Sequence, residues 1–176
     1  MYHLENTLMA LALHLSDQLN HAAEREVGHN LSDASTLVMV QNNGPIPIHL
    51  LSATLGVTHP AAVQQVDRLY ADGLLERSVG ADRRRRLITL TAKGRKRVGA
   101  FLKKRAALAR QSLAGLKKAD RTALQQLLDR MLSSSATDRP TVDHLCRCCD
   151  ERACPPVVCP AERQVAAVPS PLTASW

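Results

Sequence analysis

One stretch, from Ile48 to Gly94, limits what this chain can fold into more than any other. Apolar Ile48, Leu50, Leu51 and Leu55 give a short half-buried helix that Gly56 ends. Thr58 then offers a hydroxyl as N-cap. Pro60 suits the first turn of the next helix, whose amides lack helical partners. That second helix is predicted from about Pro60 to Asp72, with Val63, Val66, Leu69 and Tyr70 on one face. Gln64, Gln65 and Arg68 fall on or beside the opposite face, and Asp72-Gly73 closes the helix. Leu74–Val79 and Arg86–Leu90 alternate as two short strands around a charged loop, Gly80 to Arg85. Helix, tight glycine turn and helix make a helix-turn-helix pattern, and the hairpin makes a wing.

The flanks read as helices. Leu4, Leu8, Leu11, Leu15 and Leu19 line one face of a helix expected over Leu4–Glu26, which Gly28 can stop. Ser32 is a candidate N-cap for a helix to about Gln41, and Asn42-Asn43-Gly44-Pro45 reads as a turn. Thr91 is expected to cap a long helix from Ala92, broken near Lys117 to Asp120 before a last helix with Leu124, Leu127, Leu128, Met131 and Leu132. Regular structure is expected to end at Ser133 to Ser135. With one Phe, two Tyr and one Trp, the core must come from aliphatic residues and Met, which suits packed helices. The fold class expected is mainly α, a winged helix-turn-helix with a small β-hairpin and a helical dimerisation domain. No apolar run approaches the ~18 residues of a membrane span and no signal peptide is evident, so a cytoplasmic location is expected.

Charge and cysteine placement add chemistry. From Arg83 to Lys118 there are fourteen Lys or Arg and not one Asp or Glu. A one-sign block of this kind beside a helix-turn-helix suits phosphates; a merely solvated helix face is the bland alternative. All five cysteines, Cys146, Cys148, Cys149, Cys154 and Cys159, lie within fourteen residues. Without a secretion signal, such clustering points to metal or redox chemistry rather than a disulfide framework.

Residues from about Leu31 to Gly94 resemble the MarR family of bacterial transcription regulators. The matching stretches are Leu50 to Thr58, Val66 to Leu69, Asp72 to Arg77, Asp82-Arg83-Arg84 and Leu90 to Gly94. With the flanking helices, the resemblance extends over residues 4–135. It implies a homodimer joined by the first and last helices, with one reading helix per protomer in the major groove of a palindromic double-stranded DNA site and the wing in the minor groove. In the family's Asp-x-Arg wing motif the Asp orients an Arg, and Asp82 and Arg84 occupy those positions. Four consecutive arginines are denser than usual there, and no aromatic or charged set marks the family's phenolic-ligand pocket. Expected DNA contacts are Thr58 and His59 at a helix N-terminus, Gln64 and Gln65 toward adenine edges, Arg68, which can instead pair with Asp72, and wing residues Arg83, Arg84, Arg85 and Arg86.

The cysteine segment lies outside that resemblance. With Cys148 set aside as an extra thiol or alternative ligand, Cys146, Cys149, Cys154 and Cys159 have the spacing C-x2-C-x4-C-x4-C. Thiolates this close repel unless a cation or cluster neutralises them. The compact loop is similar to those of redox-sensing MerR-class regulators, which favours an iron–sulfur cluster, [2Fe–2S], over Zn²⁺; uncoordinated redox thiols remain the third option. His144 flanks the loop and is a further candidate ligand. Because the loop follows the last dimer helix, its state is expected to alter packing between protomers and hence the spacing of their reading helices.

The sequence therefore divides into a dimerisation helix (1–30), a winged helix-turn-helix (31–94), further dimerisation helices (95–135), a cysteine-rich loop (140–162) and a disordered tail (163–176). The function expected is a dimeric, sequence-specific regulator, a repressor, under metal or redox control. The alternatives are a non-specific polyanion binder and a metal-handling or protein-interaction module with structural zinc. No catalytic constellation can be assembled, so no enzyme is expected.

Overall fold

A computed structural model describes residues 2–79, 86–168 and 170–173. Helix α1 (His3–Glu26) is followed by α2 (Leu31–Asn43), strand β1 (Ile46–Pro47), α3 (Ile48–Leu55) and α4 (His59–Ala71). Strands β2 (Leu75–Val79) and β3 (Arg86–Leu90) then lead into α5 (Ala92–Ser112) and α6 (Lys118–Ser135). Two further helices, α7 (Arg139–Cys146) and α8 (Pro160–Gln164), and a 3-10 turn at Pro171–Thr173 complete the described order. The sheet is antiparallel with order β1-β3-β2, pairing Ile46 with Ile88 and Leu75 with Leu90.

Helix ends are set by local hydrogen bonds. Asn30, not Ser32, caps α2: its side-chain oxygen accepts from the Asp33 amide at 3.0 Å. Thr58 accepts from the Ala61 amide, and Thr91 from the Gly94 amide at 2.9 Å. The Thr91 hydroxyl also donates to the Gly73 carbonyl at 2.7 Å, so one side chain joins the end of α4 to the start of α5. Gly94 is required at that junction, because a Cβ there would sit 2.0 Å from the Leu74 carbonyl oxygen.

The core is aliphatic, with Leu37, Val38, Leu51, Leu69, Ile88, Val98 and the single Phe, Phe101, fully buried. It lies where α1, α2, α3 and α5 meet the sheet. Helix α6 buries no residue within the protomer, and Leu127, Leu128, Met131 and Leu132 stay exposed. Leu4, Leu8 and Leu11 of α1 are exposed as well.

Three expectations change here. Strand β1 is too short, and too rich in proline, to show as an alternating pattern. Regular structure does not end at Ser135, since Asp138 accepts from the Thr141 amide at 2.8 Å and starts α7, with Pro140 in its first turn. The last segment is not simply a disordered tail: Leu172 is buried in the main core, and the Ser170 hydroxyl donates to Asp143 at 3.0 Å. No helix among the described residues is long and apolar enough to cross a membrane.

Candidate nucleic-acid interface and cysteine unit

Helix α4 has one sealed face and one open face. Ala62, Gln65, Val66 and Leu69 are buried, whereas His59, Ala61, Gln64, Asp67 and Arg68 are exposed. Successive helical residues diverge by about 100°, so adjacent Gln64 and Gln65 cannot share a task. Gln65 is only 4 % exposed, and its amide nitrogen donates to Thr36 Oγ1 at 2.9 Å and to Ser32 Oγ at 3.2 Å. It joins α4 to α2, so it cannot reach a base edge in this conformation. Burying an amide requires such partners, and both lie some thirty positions earlier in the chain, where helical periodicity does not register them.

Two other α4 residues also differ from expectation. Arg68 pairs with the buried carboxylate of Asp33 at 3.2 Å rather than with Asp72, which instead meets His29 Nε2 at 2.6 Å. His29 Nδ1 lies 3.2 Å from the same Asp33. A residue that nothing in the sequence marked, His29, thus links the start of α2 to the end of α4. Arg68 keeps a half-exposed side chain but has a structural partner. Tyr70 is 51 % exposed instead of lining the core, and the Arg77 guanidinium lies 5.4 Å from its ring centroid. Arg77 also pairs with Asp67. Thr58 and His59 remain at the exposed N-terminus of α4. Asp82, Arg83, Arg84 and Arg85 lie outside the described residues, and Arg86 is placed by its backbone as the first residue of β3.

Residues 28–85 match the model of the MarR family. Over those residues the chain is similar to the MarR-family winged helix-turn-helix. No curated protein matches the chain in sequence. Among solved structures, RV1404 from Mycobacterium tuberculosis is 26 % identical with a TM-score of 0.65, covering 72 % of this chain and 88 % of its own. YusO from Bacillus subtilis gives 19 % identity and 0.65 over 73 % of this chain and 91 % of its own. MepR from Staphylococcus aureus, a transcription regulator of the multidrug efflux pump MepA, gives 20 % and 0.65 over 74 % and 96 %.

After α6 the chain folds back rather than trailing away. Helix α7 packs against α3, and α8 against α6. A small second core forms from Ala136, Val142, Cys159, Ala161 and Val165, with Cys146 and Cys154 against it. Arg139 braces this unit through a double hydrogen bond to Glu162, at 2.8 and 2.7 Å, and an ion pair with Asp143 at 2.9 Å. The Glu162 carboxylate keeps the Arg139 guanidinium firmly protonated, while burial raises the Asp143 carboxyl.

The thiols divide into four and one. Cys146 hydrogen-bonds Cys149, which raises the Cys146 thiol and pulls Cys149 down to about 6, helped by the charge of Arg105. Arg105 Nη2 lies 4.0 Å from the Cys149 sulfur. Burial, and then the charge and hydrogen bond of Cys159, push Cys154 up to about 11. Cys146 also feels the charge of Cys159, and Cys154 that of Cys149, so the two pairs form one electrostatic set. Cys148 stands apart: it packs against the main core, where burial raises its thiol and Ser35 hydrogen-bonds it.

Thiolates are ligands of thiophilic ions and clusters by donor chemistry. Among the described residues, no three or more His, Cys, Asp or Glu side chains already stand in ligating geometry. Paired thiols of this kind would have to turn toward a common centre.

Proposed function

We propose that the protein is a dimeric, sequence-specific DNA-binding regulator that acts as a repressor. The observation that carries this is the division of α4: one face is sealed by Ala62, Gln65, Val66 and Leu69, and the other leaves Gln64 and Arg68 exposed. A helix held rigidly along one side presents its opposite side chains at fixed positions, which reading base edges in a major groove demands. Gln64 is the reader suited to an adenine edge. Thr58 and His59 supply the amide-rich N-terminus for phosphate.

The exposed leucines of α1 and the unburied stripe of α6 support the dimer. Contiguous apolar surface on a helix that buries nothing in its own protomer calls for a partner, and a second copy provides the two-fold symmetry of a palindromic duplex. Cys146, Cys149, Cys154 and Cys159 would hold an iron–sulfur cluster, [2Fe–2S], or alternatively Zn²⁺. The cluster would supply a redox-sensitive charge, and zinc a charge-neutralising clip.

Selection from a pool of random DNA duplexes tests this reading. Enrichment of a palindrome with half-sites about one helical turn apart is the expected result. A pool that stays random, with retention governed by salt alone, would mean that the basic block binds polyanions without reading them.

A further inference from the structure

We infer that His144 is the positioning residue through which the four-cysteine unit acts on the reading head, within a single protomer. The inference rests on the proposed role of Cys146, Cys149, Cys154 and Cys159 as one binding set, and it replaces dimer spacing with an intramolecular route. His144 lies on α7, two positions before Cys146. Its Nδ1 is 2.7 Å from the backbone oxygen of Thr54, ninety positions earlier. A carbonyl can only accept, so Nδ1 carries the proton.

Thr54 is in the last turn of α3, where carbonyls have no amide partner further along the helix. His144 therefore acts as a cap supplied from outside, placed at the turn of the helix-turn-helix. The ring also covers that turn: a Cβ built on Gly56 would lie 3.4 Å from its Cε1, and Gly56 has the left-handed φ of 67° that the turn requires.

The other end of the unit is tied to the frame. The Asn42 side-chain amide of α2 donates to the Cys149 carbonyl at 2.8 Å, Arg105 of α5 approaches the Cys149 sulfur, and Cys148 packs against the main core. Cys149 is thus fixed to the scaffold, while Cys146 ends the helix whose His144 holds the turn before α4. Any change that alters how Cys146 and Cys149 sit relative to each other moves α7 against a fixed base, and the turn of α3 moves with it. The Cys149 amide also donates to the Cys146 carbonyl at 2.8 Å, so the two thiols share one turn that is tied to the scaffold on its Cys149 side and to the His144 cap on its Cys146 side.

The test uses the full chain, prepared metal-free under reducing, oxygen-free conditions, with Zn²⁺ as the probe ion and a duplex selected by the wild type. Zinc uptake, duplex affinity and amide exchange at residues 54–58 are measured together. Loading should change wild-type affinity by about fivefold or more and alter exchange at the turn. His144→Ala should take up zinc as the wild type does, yet exchange quickly at the turn in both states and keep one affinity to within about twofold. His144→Gln, whose side-chain amide can still donate to the Thr54 oxygen, should recover part of the response while keeping the helical content of the wild type.

A His144→Ala protein that retains the full zinc response overturns the inference. A wild type that takes up no zinc overturns the cysteine reading beneath it; that outcome is distinguishable because exchange at the turn would still separate His144→Ala from the wild type.

Discussion

Gln64 and Gln65 are adjacent and chemically identical, yet their alanine variants should behave in opposite ways. Gln65→Ala removes two hydrogen bonds, to Thr36 and Ser32, each worth about 1 kcal/mol net. It also removes buried aliphatic length worth roughly 1 kcal/mol. The Thr36 hydroxyl still donates to the Ser32 carbonyl at 3.2 Å, which keeps the cost of the orphaned group at the low end. The sum is about 2–3 kcal/mol, a fall in Tm of roughly 4–12 °C for a chain of this size. Gln64→Ala should leave stability within about 0.5 kcal/mol and weaken binding to the selected duplex by about 1–3 kcal/mol, with preference relaxed at one base pair per half-site. Thermal unfolding followed by circular dichroism, and binding to duplexes substituted one pair at a time, measure both. If Gln65→Ala relaxed base preference with Tm unchanged, the assignment of the sealed and open faces of α4 would be wrong.

Other outcomes follow from the same geometry. Gly94→Ala should destabilise by about 3 kcal/mol or more, since the new methyl meets backbone at Leu74, and chemical unfolding would detect it. Leu11→Asp combined with Leu128→Asp should give a folded monomer in sedimentation, with duplex affinity lost; a dimer surviving both changes would remove the α1 and α6 faces from the interface. Cys148→Ser should keep zinc or iron uptake, and Cys149→Ser should lose it in elemental analysis; equal uptake in the two would dissolve the division of four thiols and one.

Much of the fold was legible because its signals are local. Thr58 and Thr91 announce helices by capping them, Gly56 and Gly73 mark turns, and the alternation in β2 and β3 is short-ranged. The start of α7 was equally available, as Asp138 two residues before Pro140 is a helix-opening signature, but the cysteines drew the segment toward a loop reading. The rest was hidden for a physical reason. Whether a glutamine on α4 is solvated depends on hydroxyls of α2, and whether His144 flanks a metal loop or caps α3 depends on a carbonyl ninety positions away. Arg68 likewise has its local candidate, Asp72, displaced by Asp33, a carboxylate whose burial only tertiary structure creates.

The most direct measurement of the central claim is affinity for the selected duplex and for a scrambled duplex of equal length, each across a range of salt, with the number of chains per duplex determined in parallel. A dimeric reader predicts two chains per duplex and an advantage of roughly a thousandfold or more for the selected sequence, maintained while both affinities fall with salt. Equal affinity for the two duplexes at every salt concentration would contradict it.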